Sequence, residues 1–144
     1  MRKYLSGVPL VTLLTACLLG CGGGGPREFE ERHATTGVVT LDGAPLAKGE
    51  IVFESPEDVA AGIPPGIGRI ENAKYQATVS TGKKVVRISS LLVTGEPDEM
   101  GIAPTRQLIP AKYNTDSQLE AVITESGDNE FDFDLLSDEG EVSE

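Results

Sequence analysis

Asn129 to Leu136 alternates cleanly. Phe131, Phe133 and Leu135 fall on one side of an extended chain, and Asp132 and Asp134 fall on the other. A period of two that separates apolar from charged residues is the signature of a half-buried β-strand. The rest of the chain from Thr35 onward is built of similar short pieces. Gly37-Val38-Val39-Thr40-Leu41 is rich in β-branched residues and stops at Asp42-Gly43, which supplies the positive φ of a tight hairpin turn. Ala44-Pro45-Leu46 leads out of that turn, and Lys48-Gly49 turns again into Glu50–Glu54.

Further along, Gly68–Ile70 and Lys74–Val79 form a pair of strands around Glu71-Asn72-Ala73. Thr81-Gly82 turns into Lys83–Val93, the longest apolar strand candidate. Leu119–Thr124 alternates and ends at Ser126-Gly127-Asp128-Asn129. Two stretches carry the Pro and Gly content of loops: Ser55–Gly66 and residues 94–106. About seven strands at this spacing, with no convincing helix, predict an all-β, seven-stranded antiparallel sandwich of transthyretin-like or immunoglobulin-like type over residues 35–136.

The N-terminus has a different character. Arg2 and Lys3 precede an uncharged, Leu- and Val-rich run from Tyr4 to Gly20 that ends at Cys21. Leu18-Leu19-Gly20-Cys21 fits a bacterial lipobox, with an overlapping match at Leu14-Thr15-Ala16-Cys17. Gly22–Gly25 favours Cys21, because polyglycine has no preferred fold and makes a flexible tether. The expectation is a signal peptide over residues 1–20, a lipidated Cys21 and tether over 21–34, and an acidic tail over 137–144. His33, the only histidine, falls in the expected tether as a solvated linker residue.

Charge narrows the partners. The chain has 12 Lys+Arg and 23 Asp+Glu. Loss of Arg2 and Lys3 with the signal would leave 10 against 23, a net charge of −13. Such a surface repels phosphate backbones and anionic headgroups, so nucleic acid is a poor partner and lipid must supply any membrane attachment. The rest, about 124 residues, makes one domain with a real core. With Cys17 removed and Cys21 acylated, no disulfide holds it.

Reactive groups are scarce. One His and no free Cys leave no material for His-based triads, His-rich metal sites or thiol nucleophiles. No glycine-rich loop follows a strand and opens a helix, so no nucleotide site is expected. Phe53, Phe131 and Phe133 lie on strands and read as core, and there is no Trp for a sugar platform. Tyr113, in Pro110-Ala111-Lys112-Tyr113-Asn114, is the best candidate for an exposed contact. Between Asp116 and Glu144 stand 11 acids and no Lys or Arg. Asp128, Glu130, Asp132 and Asp134 are the calcium candidates, although their alternation with Phe131, Phe133 and Leu135 is fully explained by a solvent-facing strand face.

Several stretches over roughly residues 35–136 carry a family resemblance. Gly37-Val38-Val39-Thr40-Leu41-Asp42-Gly43-Ala44-Pro45-Leu46, followed by Gly49-Glu50-Ile51-Val52-Phe53, resembles the opening of carboxypeptidase regulatory-like (transthyretin-like) domains. Lys74-Tyr75, Gly82 and Val85–Ile88 resemble the family's later portion, and the resemblance implies that Tyr75 is a core aromatic. Ile109–Asn114 and Asn129–Leu135 are similar to the ends of small bacterial lipoproteins that carry this domain. The family usually turns on Asp-Gly before its Tyr, whereas this chain has Asn72-Ala73-Lys74. The resemblance implies a seven-stranded, usually non-catalytic sandwich attached to an envelope.

The reading is a lipid-anchored bacterial envelope protein, with no cofactor and no enzymatic role. The domain would sit in the periplasm or on the surface, the outer membrane is favoured, and an envelope protein is the expected partner. The alternative is a calcium- or glycan-binding module using residues 94–113 or the acidic C-terminal strand.

Overall fold

The computed structural model describes residues 31–138. The readings on Cys17, Cys21, the glycine tether and the tail beyond Asp138 lie outside that range. The described chain contains strands β1 (Arg32–Leu41), β2 (Ala44–Pro45), β3 (Lys48–Glu54), β4 (Gly66–Glu71), β5 (Lys74–Ser80), β6 (Gly82–Ser89), β7 (Leu91–Val93), β8 (Thr105–Gln107), β9 (Leu119–Ile123), β10 (Asn129–Glu130) and β11 (Phe133–Leu135). One helix, α1 (Pro56–Ala61), and a 3₁₀ turn at Ala111–Tyr113 complete it.

The fold is all-β and sandwich-like. A continuous sheet runs β10-β1-β5-β4-β3-β6-β9, and β2 and β11 pair with the second half of β1. Inward residues of these strands form one apolar core that includes Val39, Ile51, Phe53, Ile70, Val79, Val86, Ile88 and Leu135, all with almost no exposure. Phe53, Tyr75 and Phe133 stack through it, with ring centroids 5.9 Å and 6.4 Å apart. The core readings for Phe53, Tyr75 and Phe133 hold, while Phe131 is half-buried against the cluster.

Strand number and direction differ from the expectation. The Asn129–Leu136 stretch is two short strands, not one, and both lie parallel to β1. Thr35 and Thr36 face Asn129 and Glu130, whereas Val39–Leu41 face Phe133–Leu135. The break falls where β1 passes Gly37. A Cβ there would sit 1.9 Å from the Phe131 carbonyl oxygen, so only glycine admits so close an approach. Asp132 then repairs the interrupted ladder, its carboxylate accepting from the Val38 N–H at 2.8 Å. The stretch reaches the edge of β1 from β9, at the other end of the sheet path, and not through a hairpin with β1.

The turns obey their residues. Asp42 and Gly43 adopt φ of 53° and 79°, and Asn72 and Ala73 adopt 50° and 70°. Positive φ at both central positions is the twist that a two-residue hairpin requires. Alanine is a poor choice there, and tertiary contacts hold it. Ala73 is buried, its N–H donates to the Leu46 carbonyl at 2.8 Å, and its carbonyl accepts from Val39 at 2.7 Å.

Four further boundaries shift. The first strand begins at Arg32, inside the expected tether, because Arg32–Ala34 pair with Thr78–Ser80 and the Arg32 guanidinium binds the carbonyls of Pro65 and Thr78. Lys48-Gly49 belongs to β3 instead of forming a turn. The Ser55–Gly66 loop contains α1. The Ser55 hydroxyl accepts from the Asp58 N–H, Pro56 opens the helix, and Gly62 closes it at φ 72°. The expected strand over Lys83–Val93 ends at Ser89, and β7 leaves the main sheet.

Candidate functional site

The stretch from Leu91 to Gln107 projects from the sandwich as a two-stranded arm, where a long loop was expected over 94–106. Leu91, Leu92 and Val93 pair with Gln107, Arg106 and Thr105, and neither strand joins another sheet. Its base is fixed by Gln107, whose side-chain carbonyl accepts from the N–H groups of Ser90 at 2.7 Å and Ile109 at 3.3 Å. The Ser90 hydroxyl donates to the Lys48 carbonyl at 2.6 Å, and Ile109 plugs the core.

The tip is equally well defined. Asp98 Oδ1 accepts from the N–H groups of Met100 and Ile102 at 2.8 and 2.9 Å, and Gly101 turns the chain at φ 80°. Thr94 N–H and the Pro104 carbonyl close the loop at 2.9 Å.

This ordered arm displays a cluster of apolar side chains, alongside Thr105, Arg106 and Gln107 exposed on β8. Leu91 and Val93 are 65% and 61% exposed, and Met100 and Ile102 are 83% and 63% exposed. Leu92, which points to the opposite face of the ribbon from Leu91 and Val93, is exposed as well. Exposed apolar side chains concentrated in this way mark contact surfaces rather than ordinary surface. The flanking charge is acidic. Glu96, Asp98 and Glu99 lie between the two strands, with no Lys or Arg among them.

The acidic C-terminal residues serve the fold. Asp132 caps Val38, and Asp134 accepts from the Thr40 hydroxyl at 2.6 Å. Asp128 and Glu130 line a surface depression with His33 instead of joining them. Among the described residues, no group of three or more His, Cys, Asp or Glu is placed to hold a metal ion. The four calcium candidates are thus not brought together.

Tyr113 departs from its expected exposure. It is half-buried against the core, accepts from the Leu136 N–H at 3.3 Å, and carries Lys112 Nζ 5.2 Å from its ring centroid. His33 departs too. It lies half-buried in β1 opposite Val79, with Nε2 enclosed and without a hydrogen-bond partner among the described residues.

Composition hid one buried polar group, formed by Lys84, Asp58 and Ser80. The Lys84 side chain is 1% exposed, and its ammonium lies 2.5 Å from Asp58 Oδ2. The Ser80 hydroxyl donates to the same oxygen at 2.9 Å. Burial pushes the Asp58 carboxyl up, but hydrogen bonds from Lys84, Ser80 and Ser55 outweigh it and hold the group below its ordinary value of 3.8. The signal was available in the period of two, which puts Lys84 on the same face as Val86 and Ile88. The pair pins α1 to β6, and both residues border a depression of about 370 Å³ beside Ser55, Lys83 and Glu120.

A shallow cavity of about 610 Å³ opens over Gly37, lined by charged and polar side chains including Arg69, Lys74, Gln76 and Glu130. The Tyr75 hydroxyl at its floor donates to the Phe131 carbonyl at 2.7 Å. Tyr75 is the one aromatic residue lining this cavity, and it is buried.

Among the described residues, no helix is long and apolar enough to cross a membrane. No protein-family model matches the chain, and no curated protein matches it. In structure, the chain is similar to part of a 9R-lipoxygenase from Cyanothece PCC8801, at 15% identity and a TM-score of 0.38. That likeness covers 74% of this chain and 16% of the lipoxygenase chain, and at such a TM-score it carries no argument about fold or activity.

Proposed function

We propose that this protein is a bacterial envelope lipoprotein, anchored through Cys21, whose carboxypeptidase regulatory-like sandwich is a non-catalytic interaction module. One spatial relationship supports the reading. The chain enters the domain at Arg32, beside Ser80 and the start of β6, while the apolar arm leaves from the other end of β6. Eight residues of strand separate the two, about 26 Å at roughly 3.3 Å per residue. A domain tethered at its N-terminus would therefore present the arm away from its anchor. The burial of the Lys84, Asp58 and Ser80 group and the structural engagement of Asp132 and Asp134 fit a module without chemistry of its own.

On this reading the domain stands in the periplasm or on the cell surface, with the outer membrane favoured because Gly22 rather than Asp follows Cys21. A Cys21→Ser variant tests the anchor. It is expected to take up no labelled palmitate and to leave the membrane fraction. Labelled, membrane-bound Cys21→Ser protein would overturn the assignment.

A further inference from the structure

We infer that the β7–β8 arm is a finger that inserts into an apolar cleft of a partner protein whose rim carries Lys and Arg. The inference rests on the proposed display role and names the class of partner.

Three observations select that occupant. Strand β7 exposes apolar side chains on both faces of the ribbon: Leu91 and Val93 on one, beside Gln107 and Thr105, and Leu92 on the other, beside Arg106. A flat surface would cover only one of those faces, whereas a cleft encloses both. The arm is also ordered before any partner arrives, through Asp98 at its tip and Gln107 at its base. A preorganised finger loses little conformational freedom when it docks.

Charge supplies the third. Glu96, Asp98 and Glu99 share the tip segment with Met100 and Ile102, and Arg106 on β8 is the one cation from Leu91 to Gln107, so the arm stays net acidic. A second copy would set these acids against their own kind, on chains that each carry a net charge of −11. An anionic bilayer would be repelled in the same way. A cationic rim around an apolar cleft complements the arm in both respects.

The test is site-specific photo-cross-linking of the full-length chain in intact cells that naturally make it. A photoreactive residue replaces Met100, and a control replaces Ile67, which is exposed on β4 away from the arm. The expected result is one discrete adduct with a different protein from position 100, absent from position 67. It should disappear in the Glu96→Lys/Glu99→Lys variant, whose melting temperature should match the parent because neither side chain holds the arm together. A missing adduct, an adduct of two copies, a lipid-only adduct, or one that survives the charge reversal would each overturn the inference. Fractionation of the same cells separates the two readings. A membrane-bound chain without the adduct defeats the finger alone, whereas a soluble chain defeats the anchored-module reading.

Discussion

The side-chain amide of Asn129 pairs with both backbone groups of Thr124, accepting from its N–H at 2.9 Å and donating to its carbonyl at 3.0 Å. One side chain thus does for the residue after β9 what a neighbouring strand would do. It also joins the last strand of the sheet path to β10, the first. Asn129 is buried, so the bonds form away from competing water. Replacing Asn129 by Ala would orphan two backbone groups, and denaturant unfolding should show a loss of about 1–3 kcal/mol. Asn129→Asp keeps the acceptor but turns a carboxylate toward the Thr124 carbonyl, and should be at least as damaging at neutral pH.

Gly37 is the second sensitive point. An added methyl group would meet the Phe131 carbonyl at 1.9 Å and the Tyr75 hydroxyl at 2.9 Å. Gly37→Ala should destabilise the domain by about 1–3 kcal/mol or more, as overpacking does. Amide exchange should quicken first in β10 and β11, whose pairing with β1 flanks the site. Equal protection of both strands in the variant would show that the close approach is not what holds them.

Tyr75 should make alkaline stability pH-dependent. Burial, then the charges of Asp132 and Glu130, push its phenol well above the ordinary value of 10.0. A group with a raised folded value contributes stability that is fully present below its unfolded value and is lost as pH rises toward the folded one. Stability should therefore fall above pH 10.0, with Tyr75 ionising only as the protein unfolds. Tyr75→Phe should lose about 0.5–1.5 kcal/mol at neutral pH with the bond to Phe131, and should flatten the alkaline slope. Unfolding free energies from pH 7 to 12 check both.

The Lys84–Asp58 pair should show the asymmetry of buried ions. Lys84→Met or Asp58→Leu alone leaves the other charge buried without its counter-ion, at a cost of about 3–5 kcal/mol. The double variant should recover most of that loss, and a double-mutant cycle measures the recovery. Because Asp58 is held below its ordinary value, its contribution is present above pH 3.8 and lost as pH falls through the lower folded value.

The arm should be separable from stability. Met100→Ser/Ile102→Ser alters two exposed side chains outside the core, and unfolding should shift by no more than about 0.5 kcal/mol. A large shift would mean that the tip packs on the sandwich.

Much of this molecule is written locally. The alternation at Phe131, Phe133 and Leu135 identifies their inward side, and Asp42-Gly43 dictates its turn, because each signal depends on neighbours one to three residues away. Ser55-Pro56-Glu57-Asp58 with Gly62 also carried a helix start and stop, masked by the surrounding prolines. The same period of two carries the inward placement of Lys84 with Val86, which its charge masked.

Which strands become neighbours was decided only in three dimensions. Periodicity specifies a strand's face but not its partner, so nothing local revealed that β10 and β11 would run parallel to β1. Nothing local showed that Asp132 would serve Val38, 94 residues away, or that Asn129 would stand in for a strand. The arm follows the same rule. Leu91–Val93 continues the apolar run of β6, and that run alone predicts more sheet. Ser90 instead bonds to Lys48 and Gln107, which turns β7 out of the core and leaves its leucines in solvent.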